Sequence, residues 1–355
     1  MSAFRVLQTA GAPGFDERFE AILSASAEAT FFHTRTWAAI VTASFPGLED
    51  LSLILESDGR PHAVPLFRWR GLGGALVAWH SSFPFLYGGP IPGGAQALAM
   101  LLGELAARRG SIVLMGNPFP PARGAAAVGP TGAPVDGEAT GGAAPPPATL
   151  PLLWETTHLL ALPAQVDTYW SRVLDTRKRN DIRRLARKGV VVETTREAED
   201  LRAIYALYRR RMATWRQRPG LVYPPALYET MLARGGAAVR CYVARHEGRL
   251  IGGTFITRYN GIVHYNAGYF DDRARALRPN VLIQERIIRD AIEDGMRIYD
   301  MLPSAGLANV EEFKESFGGV RTRFPRWERV GTLQRWIHGA RRRARRAAPR
   351  SSHEQ

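Results

Sequence analysis

The sequence is poor in three things, and each shortage narrows the reading. Cysteine occurs once in 355 residues, as Cys241. That excludes an internal disulfide framework and a multi-cysteine zinc site, and it suits a reducing compartment. In the segment VRCYVA this thiol reads as a buried strand residue rather than a nucleophile. Lysine occurs three times, at Lys178, Lys188 and Lys314, against 44 arginines, so each lysine marks a place where a compact ammonium is preferred to a guanidinium fork. Long apolar runs are missing. None approaches the roughly 18 residues of a membrane span, and the first twenty residues show no apolar stretch after a basic start, so neither a spanning helix nor a signal peptide is expected. The expected location is cytoplasmic. The eight histidines are scattered without a metal-ligand pair, so no metal is expected, and no nucleophile triad is legible.

What remains is the composition of a globular protein of two ordinary domains, 45% hydrophobic and 23% charged. The net charge of +14 is local. Residues 177–188 (RKRNDIRRLARK) hold seven bases and one acid, and residues 341–350 (RRRARRAAPR) hold six arginines and no acid. Two anion-facing elements fit this pattern better than a uniformly basic surface. Residues 120–149 contain nine Ala, seven Pro and six Gly, which reads as a disordered low-complexity insertion.

Periodicity predicts a strand at 4–9, helices at 16–26 and Phe31–Phe45, strands near 50–57, 62–69 and 74–80, a helix at 95–109, and strands at 111–116 and 156–162. A long helix over 165–188 follows, with Trp170, Val173, Leu174, Ile182 and Leu185 on its apolar side. Then come the strand VVVETT, helices at Glu199–Gln217 and Pro224–Arg234, and strands at 238–245, 250–258 and 262–270. A helix at Pro279–Asp294 capped by Gly295, the strand RIYDML, a short helix at Asn309–Phe317 and the strand VRTRFPRWERV complete the order. The segments LILESDGRPHAVPLF and YVARHEGRLIGGTFI are both strand, acidic-Gly-Arg turn, strand, with Gly59 and Gly248 at the same point. Both hairpins follow helices and precede strand, helix, strand. The chain reads as a duplication of one α/β module. The expected divisions are 1–163, 164–331, and a basic helix and tail at 332–355.

This order, with its antiparallel strands, is not a parallel β-α-β winding. It resembles the GNAT acyltransferase module, and two tandem copies resemble the Fem-type (FemAB-like) family, whose members attach amino acids to peptidoglycan precursors in bacteria. Three stretches carry the resemblance: YWSRVLDTRKRNDIRRLARKGVVVE, IVHYNAGYFDDRARALRPNVLIQERIIRDAIEDGMRIYDM and NVEEFKESFGG. The implied fold is α/β with mixed sheets, two GNAT-like modules each built on a mostly antiparallel sheet. The implied activity is transfer of an aminoacyl or acyl group to an amine.

The Phe313-Lys314 pair resembles the Fem-type Phe-Lys, where the lysine stabilises developing negative charge. An amine attacking an ester or thioester produces an oxyanion, and a fixed cation beside it lowers the barrier by about 3 kcal/mol. Ser304 lies close by in sequence. In the basic helix, Arg179 and Arg183 are spaced to share a face and meet a phosphate-bearing substrate. Strand alternation places His264 and Asn266 on one face of HYNAGYF and Tyr265 and Tyr269 on the other, as hydroxyl donors bordering a donor cleft. The turn DDRARALRPNVL has no glycine and carries Pro279, which donates no N–H. That weakens a CoA pyrophosphate cradle and leaves Arg278 and Asn280 as anion contacts. Asp300 and Glu312 are both candidate bases. The family places the acceptor near the module junction, which adds Trp37.

The donor is therefore expected to be aminoacyl-tRNA or acyl-CoA, and the acceptor an anionic amine such as a peptidoglycan precursor. The alternatives are an acyl-CoA-dependent N-acetyltransferase and a non-enzymatic RNA-binding or envelope-assembly protein. A monomer is expected, with peripheral contact to anionic membrane at its inner face through 341–350.

Overall fold

A computed structural model describes residues 5–83, 86–119, 150–214, 222–304 and 306–332. The low-complexity insertion and the 341–350 run lie outside the described residues. The first half of the chain supplies β1 (Arg5–Thr9), α1 (Phe15–Ser24), α2 (Arg35–Ser44), β2 (Leu48–Asp50), β3 (Leu53–Ser57), β4 (Arg60–Val64), β5 (Phe67–Gly71), β6 (Leu76–His80), α3 (Ala95–Ala106) and β7 (Ser111–Met115). Then follow β8 (Leu152–Ala161), α4 (Val166–Thr168), α5 (Thr176–Ala186), β9 (Val190–Thr195), α6 (Ala198–Thr214), α7 (Pro225–Arg234), β10 (Val239–His246), β11 (Arg249–Tyr259), β12 (Ile262–Phe270), α8 (Pro279–Glu293), β13 (Ile298–Asp300), α9 (Ala308–Glu315) and β14 (Val320–Arg329).

The duplication is written into the topology. The β10–β11 hairpin is one continuous ladder with a bulge at Ala244–Arg245, whereas its counterpart in the first half is split into two ladders of one register. There β2 pairs with β5 and β3 with β4, and the break falls at Leu51–Ser52 opposite Pro65–Leu66. Pro65 has no N–H for the ladder, so the hairpin bends and its tip joins β1 in a three-stranded sheet. Both hairpin tips need left-handed backbone, with Gly59 at φ 67° and Gly248 at φ 76°. In each half the next strand then runs parallel to a strand reached through a helix: β6 with β7 across α3, and β12 with β13 across α8.

The two halves exchange their last strands. β8 leaves β7 and pairs with β13, while β14 leaves β13 and pairs with β7. β8 and β14 pair with each other in the middle. The result is one eleven-stranded sheet in the order β2-β5-β6-β7-β14-β8-β13-β12-β11-β10-β9. One shared apolar core holds Phe31, Phe32, Trp37 and Val41 of the first half together with Ile204, Tyr228, Phe255 and Tyr269 of the second.

Three expectations need correction. The helix expected over 165–188 is broken. Tyr169–Val173 forms a π-turn, Leu174 is extended, and the Asp175 side chain accepts from Lys178 N at 2.6 Å, starting α5 afresh. The helix expected over Phe31–Phe45 is a short 3₁₀ turn followed by α2, divided at Thr34, whose hydroxyl caps α2 through Trp37 N. Tyr265 and Tyr269 do not share a face. Phe255 pairs with Ala267 and Ile256 with Tyr265, so Asn266 is an extra residue, and this β-bulge reverses the alternation. Tyr269 packs on Tyr208 at 4.9 Å between ring centroids, on the α6 side, while Tyr265 packs against the α8-side core.

Candidate active site

Two parallel strands that start together and then diverge leave a fork. β12 and β13 pair from Ile262–Ile298 to His264–Asp300 and no further. Beyond that point β12 runs on to Phe270, while the chain after Asp300 turns to β8, Met301 N donating to the His158 carbonyl at 3.0 Å. The corresponding fork of the first half, past His80–Val113, is filled by its own chain. Gly88 N donates to the Met115 carbonyl at 2.9 Å, and the Tyr87 ring lies against Phe119 and Phe324. A Cβ on Gly88 would come within 2.5 Å of the Ser81 carbonyl oxygen, so only glycine fits there. The second fork is where polar groups gather.

Asp300 sits at its apex, fully buried. Its Oδ1 accepts from Thr157 Oγ1 at 2.5 Å and from Leu302 N at 2.9 Å. Its Oδ2 faces His264 Nε2 at 3.8 Å without a hydrogen bond. Burial pushes this carboxyl up to about 6, although Thr157 and Leu302 N pull the other way. His264 is held neutral, its value lowered to about 3 by burial and then by His33. Its ring packs on Phe32 at 4.7 Å, so the first half of the chain forms one wall.

Lys314 projects from α9 into the same interior and is 4% exposed. Its ammonium donates to the Leu302 carbonyl, which is turned towards it by a left-handed backbone at Leu302, φ 54°. Burial lowers Lys314 to about 8, with Asp300 and Glu311 opposing. His158 on β8 faces Glu315 Oε1 at 3.5 Å, and its basicity is lowered by burial and then by Lys314. Ser304 Oγ and Asn266 Nδ2 are buried without a hydrogen-bond partner. Among the described residues no group of acids, histidines and cysteines could hold a metal ion, and no helix is long and apolar enough to cross a membrane.

The structure thus brings Lys314 and Asp300 together, leaves Ser304 buried four residues beyond Asp300, and separates the two candidate bases. Glu312 is exposed on the outer side of α9. Phe313 stacks edge-on with Phe317 at 5.2 Å beneath Lys178. Trp37 is a core residue, its Nε1 donating to the Phe83 carbonyl at 3.0 Å, one ring away from His264 through Phe32. Tyr265 lies in the wall of β12, its hydroxyl over Gly268 and bonded to Thr254 and Gln284. Tyr269 joins a cluster with Tyr208 and Tyr228 on the other face. Arg179 caps the π-turn through the Trp170 carbonyl at 2.6 Å, and Arg183 is exposed over the Trp170 ring. Arg278 pairs with Asp181 at 2.6 Å, and Asn280 lies half-buried in the first turn of α8.

Sequence reasoning assigned no role to Thr157 or His158, which reach the site only through strand exchange, nor to the side chain of Asn266, freed by the bulge. Lys178 was legible as a rare lysine but was passed over for its arginine neighbours.

Residues 175–315 match the family model described as an acetyltransferase (GNAT) domain. No curated protein sequence matches the chain. Among solved structures, FemX is similar over 94% of this chain and 99% of its own, with a TM-score of 0.61 and 12% identity. A conserved protein of unknown function from Bacteroides thetaiotaomicron VPI-5482 is similar over 93% and 100%, with a TM-score of 0.52 and 11% identity. Residues 175–315 are thus similar to a GNAT domain, and the whole chain has the fold of FemX, in agreement with the tandem modules expected from the sequence.

Proposed function

We propose that the chain is an acyltransferase that moves an aminoacyl group from charged tRNA to an amine of a peptidoglycan precursor or related cell-envelope acceptor. The observation that carries this reading is the pair at the fork: a buried carboxyl with one free oxygen and a buried ammonium, both with proton affinities drawn towards neutrality. The acceptor's ammonium first releases one proton to solvent, and Oδ2 of Asp300 takes a second from the nitrogen as it attacks. The freed amine attacks the ester carbonyl, the C–N bond forms, and the carbonyl oxygen gains negative charge beside Lys314. Collapse breaks the ester C–O bond, and the ribose oxygen leaves with a proton returned from the carboxylic acid. No enzyme nucleophile is needed.

The turn before α8 supports tRNA over CoA. Its N–H groups are spent within the turn: Arg273 N on the Asp271 side chain, Arg278 N on the Arg275 carbonyl and Val281 N on the Arg278 carbonyl. Pro279 has none to give. A diphosphate would find few backbone donors there. The match to an acetyltransferase model favours a second reading, acyl-CoA as donor. One experiment separates them: purified protein is given an amine acceptor with either radiolabelled aminoacyl-tRNA or acetyl-CoA. Label transfer from tRNA, lost in Lys314→Ala, is the expected result. Transfer from acetyl-CoA alone would replace the donor, and transfer from neither would sink the proposal.

A further inference from the structure

Lys178 stands in the first turn of α5, more than nine-tenths buried. Its ammonium lies 4.6 Å from the Phe317 ring centroid and 5.7 Å from that of Phe313. Among the described residues it has neither a hydrogen-bond acceptor nor a carboxylate partner. The nearby acids are engaged elsewhere. Asp175 Oδ1 accepts the backbone N–H of Lys178, and Asp181 holds Arg278 at 2.6 Å and Arg184 at 2.7 Å. Arg278 and Arg177 add positive charge around it. Burial, then Arg278, lower its proton affinity.

The stem is buried while the ammonium itself is not sealed from solvent, so it lies over two ring faces where an anion can reach it. A chain that uses arginine at almost every basic position has kept a compact ammonium here. Phe313 belongs to α9, the helix that carries Lys314, and Phe317 lies just past its C-cap, so the ammonium and the reaction centre flank one helix.

We propose that Lys178, with Arg278 beside it, is a phosphate-binding site that anchors a phosphate group of a substrate next to α9. Arg278 exchanges Asp181 for the phosphate oxygens, and Lys178 supplies the point charge. The role assigned from sequence to Arg179 and Arg183 passes to these two, since Arg179 is committed to the Trp170 carbonyl. Placing the phosphate on a substrate of the fork rests on the acyl-transfer reading, but the binding itself does not.

The test is calorimetric titration of the whole protein with inorganic pyrophosphate at fixed salt. Saturable binding is expected, weakened at least tenfold in Lys178→Met and in Arg278→Gln. Either weakened variant suffices if the other does not fold. No binding by wild type at millimolar pyrophosphate would overturn the site. Equal binding by wild type and both variants would do the same, assigning the anion to other basic surface. Competition by CoA, by a tRNA acceptor-stem RNA and by UDP then identifies the phosphate's source: the competitor whose affinity depends on Lys178. Because no transfer is measured, a failed transfer assay leaves this result standing, and the reverse also holds.

Discussion

Thr157 Oγ1 donates to Asp300 Oδ1 at 2.5 Å across 143 residues of sequence. The donor lies on the strand that leaves the first module, the acceptor on a strand of the second. The exchange of β8 and β14 therefore completes the proposed reaction centre as well as joining the sheet. It places a hydroxyl where it favours the charged form of a buried carboxyl, and it leaves Oδ2 as the oxygen able to take a proton.

Thr157→Val keeps the shape and removes that donor. Losing a hydrogen bond to the carboxylate raises Asp300 further above about 6. The acid limb of kcat/KM should move upward, so the variant loses more activity at pH 6 than at pH 8. A pH–rate profile of both proteins checks this. An unmoved limb would remove Asp300 from the titration.

Asp300 must be ionised to act as a base and Lys314 protonated to meet an oxyanion. Burial draws the first up to about 6 and the second down to about 8. A bell-shaped kcat/KM with limbs near those two values is expected, as apparent constants of the pair. Lys314→Arg, which stays charged, should flatten the basic limb wherever it retains activity. Lys314→Ala should lower kcat by about 10²–10³-fold, with circular dichroism unchanged.

The same burial makes Asp300 a stability liability. Its folded-state value lies above its ordinary 3.8. Between pH 4 and 6 the folded protein holds a proton that the unfolded chain releases, so stability falls as pH rises through this window and stays reduced above it. The shift corresponds to roughly 3 kcal/mol. Asp300→Asn keeps an oxygen for Thr157 and Leu302 N and carries no charge. Its melting temperature should exceed that of wild type at pH 7.5, and the gap should close as pH falls towards 4. A gap independent of pH would mean that the carboxyl is not desolvated.

Most elements were legible because local chemistry sets them. Asp-Gly and Glu-Gly turns mark Gly59 and Gly248, Pro225 opens α7, and Gly295 ends α8. The fork was legible only by resemblance. Pairing between strands more than a hundred residues apart leaves no local trace, so Thr157 and His158 read as ordinary strand residues. The Asn266 bulge is likewise invisible to alternation, which put Tyr265 and Tyr269 on one face. At Asp175 the apolar period ran through a residue whose side chain does better as a cap. In the basic run charge was plain, but only packing separates Arg179, tied to a carbonyl, from Lys178, left over two rings.

The bulge also constrains Gly268. An ideal Cβ there would lie 1.8 Å from the Tyr265 hydroxyl oxygen, well inside contact distance. That hydroxyl is fixed by Thr254 and Gln284, and burial raises it to about 12. Gly268→Ala must therefore push the phenol off its partners, an overpacking loss of about 1–3 kcal/mol. Tyr265→Phe removes the obstructing oxygen but leaves Gln284 to its other partner, Tyr299. The two changes should be non-additive: in the double variant, the penalty for alanine should fall by at least half. Chemical denaturation of the four proteins in this cycle measures the coupling. Simple additivity would mean that Tyr265 does not rest on Gly268, and that the wall of the fork is shaped by something other than the bulge.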